Sequence, residues 1–317
     1  MITSCMRKCM KAVTVAFAVS ATSVIAPAHA GEDALVRFGV PTWPGVTVKS
    51  EVAAQLLEAM GYRTEQVNAS PAFALNSLKS DDLDVYLGGW MPTEKHMIDP
   101  LVEENAVQVV ATNIADATMG IAVPAYVWEA GVHTEADLAA HAERFSSRIY
   151  GIEPGTGFND AISAAIDNDR HGLEGWSLVE SSTSGMLSQV GRAIDREEWV
   201  VFLGWEPHWM NAKYDMKYLE PVGEATIAGT KSDVLTVLNP RLGERHADVA
   251  RLFSQYVVAK NVQSAWVLEY AYKERDAGDV ASEWIAANLD TVAGWLEGVE
   301  TRDGEPAIDA VRARYAE

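Results

Sequence analysis

Residues Asp81–Pro92 read DDLDVYLGGWMP, and residues Glu197–Pro207 read EEWVVFLGWEP. Both run from an acidic pair through an apolar stretch to glycine, tryptophan, one further residue and proline. A short apolar run bounded by turn residues fits a strand buried on both faces. Glycine ahead of the tryptophan lets backbone or a small molecule approach closely. The copies lie in different halves of the chain. That points to two similar lobes, each presenting one tryptophan at a strand end.

Around the first copy, Leu35–Val40 reads as a strand, followed by a loop with Pro41, Trp43 and Pro44. A helix is predicted over 49–60, with Val52, Leu56, Leu57 and Met60 on one face and Gly61 at its end. A strand over 62–67, a short helix over 71–79 and a strand over 83–87 follow. This alternation predicts a parallel sheet with right-handed crossovers. A second α/β unit starts near Ala117, with strands over 121–123, 148–152 and 199–203 and helices over 134–145, 158–167 and 184–194. The chain then returns to the first unit through a strand over 234–238. It closes with helices over 247–268, 280–288, 292–296 and 306–315. The expected fold is α/β, two lobes with a ligand cleft between them. Lobe 1 comprises residues 31–116 and 223–317, and lobe 2 residues 117–222.

The first thirty residues stand apart. Arg7, Lys8 and Lys11 precede an uncharged apolar stretch from Ala12 to Ile25, and Ala28-His29-Ala30 has the small-x-small pattern of a cleavage site. This reads as a signal peptide cut after Ala30, hence export to a periplasm. Cleavage removes Cys5 and Cys9, the only cysteines, which excludes disulfides, thiol nucleophiles and thiolate metal sites from the mature chain. It also removes three basic residues and no acidic one, so the formal charge moves from −20 to −23. That balance argues against a nucleic-acid partner, which needs a basic patch, and against adhesion to anionic lipid.

Trp43, Trp90 and Trp205 each follow a predicted strand. Ligands of open α/β sheets bind beyond the carboxyl ends of strands. Indole faces converging from two lobes suit a cation, above all a quaternary ammonium with no hydrogen to donate. Trp128, Trp176, Trp199, Trp266, Trp284 and Trp295 fall within apolar patterns and read as core; Trp209 is open between the two roles. Pro154-Gly155-Thr156-Gly157-Phe158 runs from a strand into a helix, where free N–H groups favour an anion, or simply make a tight turn. Glu94, Glu153 and Glu206 lie near the tryptophan loops. Ser181-Ser182-Thr183-Ser184-Gly185 reads as a helix cap. No HExxH, His pair at i,i+4 or G-x-S-x-G occurs, so no catalytic residue, metal or cofactor is expected.

Leu83–Thr93 (LDVYLGGWMPT), Tyr150–Gly155 (YGIEPG), Glu180–Gln189 (ESSTSGMLSQ) and Val201–Asn211 (VFLGWEPHWMN) together resemble the periplasmic substrate-binding proteins of ABC importers for choline, glycine betaine and related quaternary amines. The resemblance covers nearly the whole mature chain and is nearest to the choline-binding branch. It implies the two-lobed type II periplasmic-binding-protein fold, without catalysis. It also implies an aromatic box to which Trp43, Trp90 and Trp205 correspond. The fourth box member, a tyrosine in that branch, falls on Met119. The aspartate and asparagine of that branch fall on Gly45 and Thr156. Betaine-binding relatives hold the carboxylate partly with backbone amides that match Gly157 and Phe158.

A site that loses its hydroxyl-recognising partner discriminates against the hydroxyl ligand. The reading therefore favours a zwitterionic osmolyte such as glycine betaine or proline betaine, or the sulfonium of dimethylsulfoniopropionate, with osmoprotective uptake as the role. The expected partners are that small ligand and an ABC permease at the inner membrane, with the receptor a monomer. The alternatives are a choline-specific binding protein, a secreted carboxylate-dependent hydrolase on the same scaffold, and a chemosensory receptor.

Overall fold

The computed structural model describes residues 34–223 and 231–315. The signal-peptide reading falls outside them. Within them, no helix is long and apolar enough to cross a membrane.

The described strands are β1 (Leu35–Val40), β2 (Arg63–Asn68), β3 (Val85–Met91), β4 (Gln108–Pro124), β5 (Arg148–Tyr150), β6 (Ser177–Val179), β7 (Phe202–Glu206), β8 (Met216–Tyr218) and β9 (Lys231–Leu238). They form one sheet in the order β2-β1-β3-β9-β4-β7-β5-β6, with β8 also paired to β4. β1 is parallel to β2 and β3, as the strand–helix alternation predicts. β7, β5 and β6 form a second parallel triplet. The long strands β9 and β4 join the two triplets through antiparallel pairings. The triplets therefore run in opposite directions, and their carboxyl ends face each other across the joining strands. Each triplet, with its helices, makes one lobe.

β4 is the strand on which the lobes exchange partners. It pairs with β9 as far as Thr118–Lys231, and with β7 from Thr118–Glu206 onward. The sequence shows only residues 121–123 of it. Register shifts between Val109 and Ala117, and a positive φ of 54° at Asp116, break the alternation that marks a regular strand. The lobe boundary expected at residue 117 falls inside this strand.

The first lobe carries α1 (Pro44–Ala59), α2 (Pro71–Lys79) and α3 (Lys95–Glu103). Pro44 presets φ at the first position of α1, and burial begins at once with Pro44, Gly45 and Val46, so the helix starts five residues before the predicted Lys49. Ser70 caps α2 by accepting from the Phe73 amide. α3 was not expected: Pro100 lies inside it, where a proline argues against a helix, and only Ile98 is buried. The second lobe carries α4 (Ala125–Glu129), α5 (Gly157–Asp167), α6 (Thr183–Asp195) and α7 (Met210–Lys213). Ser182 caps α6, as its sequence suggests. The predicted helix over 134–145 is only a 3-10 turn, Glu135–His141, held by a capping box between Thr134 and Asp137.

The remaining helices return to the first lobe: α8 (Pro240–Arg245), α9 (Ala247–Gln255), α10 (Lys260–Val267), α11 (Ala277–Ala287), α12 (Leu289–Trp295) and α13 (Ala307–Tyr315). The continuous helix predicted over 247–268 is broken at residues 256–259. Tertiary contacts override its period: the Val258 amide donates to the Asn113 carbonyl at 2.8 Å. The Tyr256 hydroxyl donates to the Lys49 carbonyl at 2.9 Å, and its ring packs edge-on against Trp295. The break sets α10 beside the start of α1.

Candidate ligand-binding site

A cavity lies where the two triplets present their carboxyl ends. Trp43 reaches it from the loop after β1, Trp90 from β3 and Trp205 from β7. Met119 enters from β4, where it stands in register with Trp205. The three indoles and the thioether are each only 6–7% exposed, so the cavity itself is their open face. The two sequence copies thus supply Trp90 and Trp205 from opposite lobes, and each is followed by a cis X-Pro bond, Met91-Pro92 and Glu206-Pro207.

Each indole is fixed from behind. Trp43 Nε1 donates to Glu153 Oε2 at 3.3 Å, and the same carboxylate accepts from Thr42 Oγ1 and from the Thr183 amide and hydroxyl. Glu153 therefore ties a first-lobe tryptophan to the N-terminus of α6 in the second lobe. The loop of Trp90 is held by Glu94, whose amide donates to the Trp90 carbonyl at 2.8 Å. The Tyr86 hydroxyl donates to the Gly88 carbonyl at 2.8 Å and lies within 3.2 Å of the Glu94 carboxyl. Burial pushes the Glu94 carboxyl well above its ordinary value, against the opposing pull of the Tyr86 hydroxyl and the Trp90 backbone. Trp205 packs against His208 with ring centroids 4.6 Å apart. His208 Nδ1 accepts from the Met210 amide at 3.2 Å, and burial lowers its pKa to about 3. It is thus a neutral ring, and no positive charge there competes with a bound cation.

Of the residues singled out from sequence, Trp43, Trp90, Trp205, Gly45 and Met119 line the cavity. Thr156, Gly157 and Phe158 stand outside its lining. Thr156 caps α5, accepting from the Asn159 amide. Gly157 abuts the first lobe so closely that a Cβ there would lie 2.4 Å from the Thr93 carbonyl oxygen. Nearby, His96 Nε2 is 3.2 Å from Asp160 Oδ2, a contact between α3 and α5 across the cleft. Trp209 packs between Tyr214 and Tyr272 rather than in the cavity. Trp176, Trp266 and Trp295 are buried core, and Trp128, Trp199 and Trp284 pack partly buried against it.

Two polar lining residues were missed. Lys49 is buried on α1, and Gln263 is buried on α10. A Cβ on Gly45 would lie 2.5 Å from Gln263 Nε2, so Gln263 fills the space that the absent Gly45 side chain leaves. Lys49 left a signal in the sequence. It falls between Val46 and Val52 on the buried stripe of α1, where a lysine breaks the apolar pattern. Gln263 left none, because its place depends on the break before α10. Among the described residues, no group of three or more His, Cys, Asp or Glu could hold a metal ion.

Residues 34–287 match the family described as the substrate binding domain of ABC-type glycine betaine transport systems. A choline-binding protein of an ABC transporter, solved with choline, superposes with a TM-score of 0.86 at 34% identity, over 89% of this chain and 98% of that one. The lactococcal glycine betaine-binding domain OpuAC, in a closed liganded form, gives a TM-score of 0.73 at 25% identity over 82% and 98%. Among curated sequences, the glycine betaine/carnitine transport binding protein GbuC of Listeria monocytogenes is 30% identical over 163 residues, 51% of this chain and about half (53%) of that protein. An uncharacterised protein of Chromohalobacter salexigens, ORF1, is 39% identical over 133 residues, 42% of this chain and 86% of that one. These are two-lobed binding proteins in the solved cases, and the chain belongs to the family of substrate-binding domains of ABC-type glycine betaine transporters.

Proposed function

We propose that the protein is the periplasmic receptor of an ABC importer, and that it binds a quaternary-ammonium or sulfonium osmolyte such as glycine betaine or proline betaine. The observation that carries this reading is the cavity itself. Three indoles and one thioether, drawn from both lobes, meet on it. Each aromatic contact with a desolvated cation contributes about 0.5–2 kcal/mol. No hydrogen-bond donor is needed to hold a group that has no acceptor to offer. Lobe 1 takes residues 31–116 and 223–317 and lobe 2 takes 117–222, with β4 as the strand on which they turn. Closure over the ligand excludes water and shapes the surface that the permease reads. The receptor acts as a monomer and releases its ligand chemically unchanged.

Choline is the second reading, favoured by the likeness to the choline-binding protein. Against it, Gly45 offers no acid to a hydroxyl, and Gln263 occupies that place.

Trp205→Ala tests the cage. Calorimetric titration of mature protein, refolded to strip carried-over ligand, is expected to show high-affinity binding in the parent and its loss in the variant. The far-UV spectrum should stay unchanged. Retained affinity would sink the cage.

A further inference from the structure

Lys49 stands where α1 calls for an apolar residue. Gly45, Lys49, Val52 and Leu56, three or four apart, form one inward stripe, and the lysine in it is 1% exposed. Its Nζ donates to Asn113 Oδ1 at 2.5 Å. Asn113 Nδ2 donates in turn to Thr236 Oγ1 at 3.0 Å and to the Leu87 carbonyl at 3.3 Å, which orients the amide with its oxygen towards the lysine. An ammonium has three donors, and this bond uses one. Gln263, from α10, has a buried Oε1 with no partner. Both residues line the cavity that the tryptophans line.

No carboxylate stands within ion-pair distance of Lys49 Nζ among the described residues, and burial alone lowers its pKa to about 7. The groups facing it are neutral: Asn113 from β4, Gly88 from β3, Gln263 from α10, and Tyr256, whose own pKa burial pushes well above its ordinary value. Charged residues on the surrounding elements are engaged elsewhere. Lys260 donates to the Asp116 carbonyl, Asp233 takes the Asp116 amide, and Asp248 takes the Glu300 amide. Glu269 pairs with Lys273 and Arg275, and Glu283 with Arg275.

A buried ammonium without a counterion is costly, and in a ligand cavity the counterion can arrive with the ligand. We propose that Lys49, steadied by Asn113 and flanked by Gln263, is the anion-binding end of this site, so that the receptor selects zwitterions whose carboxylate lies opposite a cationic head group. This rests on the tryptophan cage for the head group. It gives the cavity one cation-accepting and one anion-accepting end. A cation without an anion, such as choline, meets a like charge at Lys49 and binds well only when Lys49 gives up its proton to solvent. A carboxylate instead draws a proton from solvent onto Lys49.

Glycine betaine and choline share one head group and differ in the group that Lys49 reads, so they are the probes. Lys49→Met is expected to weaken glycine betaine by at least about 30-fold and to leave choline unchanged or stronger. Equal effects on both ligands, or none on either, would overturn the proposal. The unaltered protein supplies a second readout that does not depend on the variant folding. Above pH 7 its affinity for glycine betaine should fall, by up to about tenfold per pH unit, while its affinity for choline rises. Parallel pH profiles for the two ligands would overturn the proposal with the cage intact. Failure of the parent protein to bind either would overturn the cage and the anion end together.

Discussion

The Glu153 carboxylate accepts the indole N–H of Trp43 at 3.3 Å, although the two residues belong to different lobes. The same carboxylate takes the Thr183 amide at 2.7 Å at the start of α6. One side chain therefore orients a cage wall and fastens the cleft. Hydrogen bonds to a charged group contribute about 1.5–3 kcal/mol each.

Glu153→Ala should accordingly weaken ligand binding about 10- to 100-fold, chiefly through faster dissociation, and also lower the denaturation midpoint. Stopped-flow tryptophan fluorescence measures the rate directly. An unchanged dissociation rate would remove Glu153 from the latch.

Gly45 and Gln263 should behave as a coupled pair. A Cβ at position 45 would meet Gln263 Nε2 at 2.5 Å and Cδ at 2.9 Å, so Gly45→Asp alone must displace that side chain. The new carboxylate would also stand in the cavity that Lys49 lines, offering it a counterion. The single variant is expected to lose carboxylate ligands. Gly45→Asp with Gln263→Ala is expected to regain cation binding with a preference for choline over glycine betaine. Calorimetry on both variants with both ligands checks it, and a double variant that still prefers glycine betaine contradicts it.

His208 makes the second lobe acid-sensitive. Its pKa falls from 6.5 to about 3 on folding, because burial disfavours the charged ring. The unfolded chain thus binds the extra proton between those values, and stability present above pH 6.5 is lost as the pH drops towards 3. Urea midpoints between pH 7 and pH 4 should fall in the parent. They should fall less in His208→Gln, and an identical slope in both would assign the acid sensitivity to other groups.

Asp84 is the buried tie of the first lobe. Its side chain is fully enclosed and accepts from the Arg37 amide and guanidinium and from Arg245 Nη2 at 2.6 Å. Asp84→Ala leaves those donors unpaired and should cost about 3 kcal/mol, read as a lower denaturation midpoint. Binding measured well below that midpoint should be unaffected.

Much of the fold was open to a reading of local pattern. The strand over 35–40 and the helix over 71–79 lie where their alternation and caps put them. Elements built by distant contacts were not. β4 carries bulges that hide its period, and α3 contains a proline that hides its helix. In the site, Trp43, Trp90, Trp205 and Met119 were legible from strand ends and family motifs, and the structure places them on one cavity. The loop over 154–158, open to an anion cradle or a tight turn, leads into a helix start set against Thr93.

Local chemistry, then, was enough for the α/β class, the two related strand ends and the indoles they carry. Those features depend on neighbours within one or two turns of chain. The anion end of the cavity depends on something else. Lys49 faces it because α1 begins at Pro44, and Gln263 reaches it because Val258 pairs with Asn113 and ends a helix that its own periodicity would continue. Contacts between residues far apart in sequence outweigh the propensity of a short segment, so only the folded chain brings an unpaired ammonium to the cavity the tryptophans line.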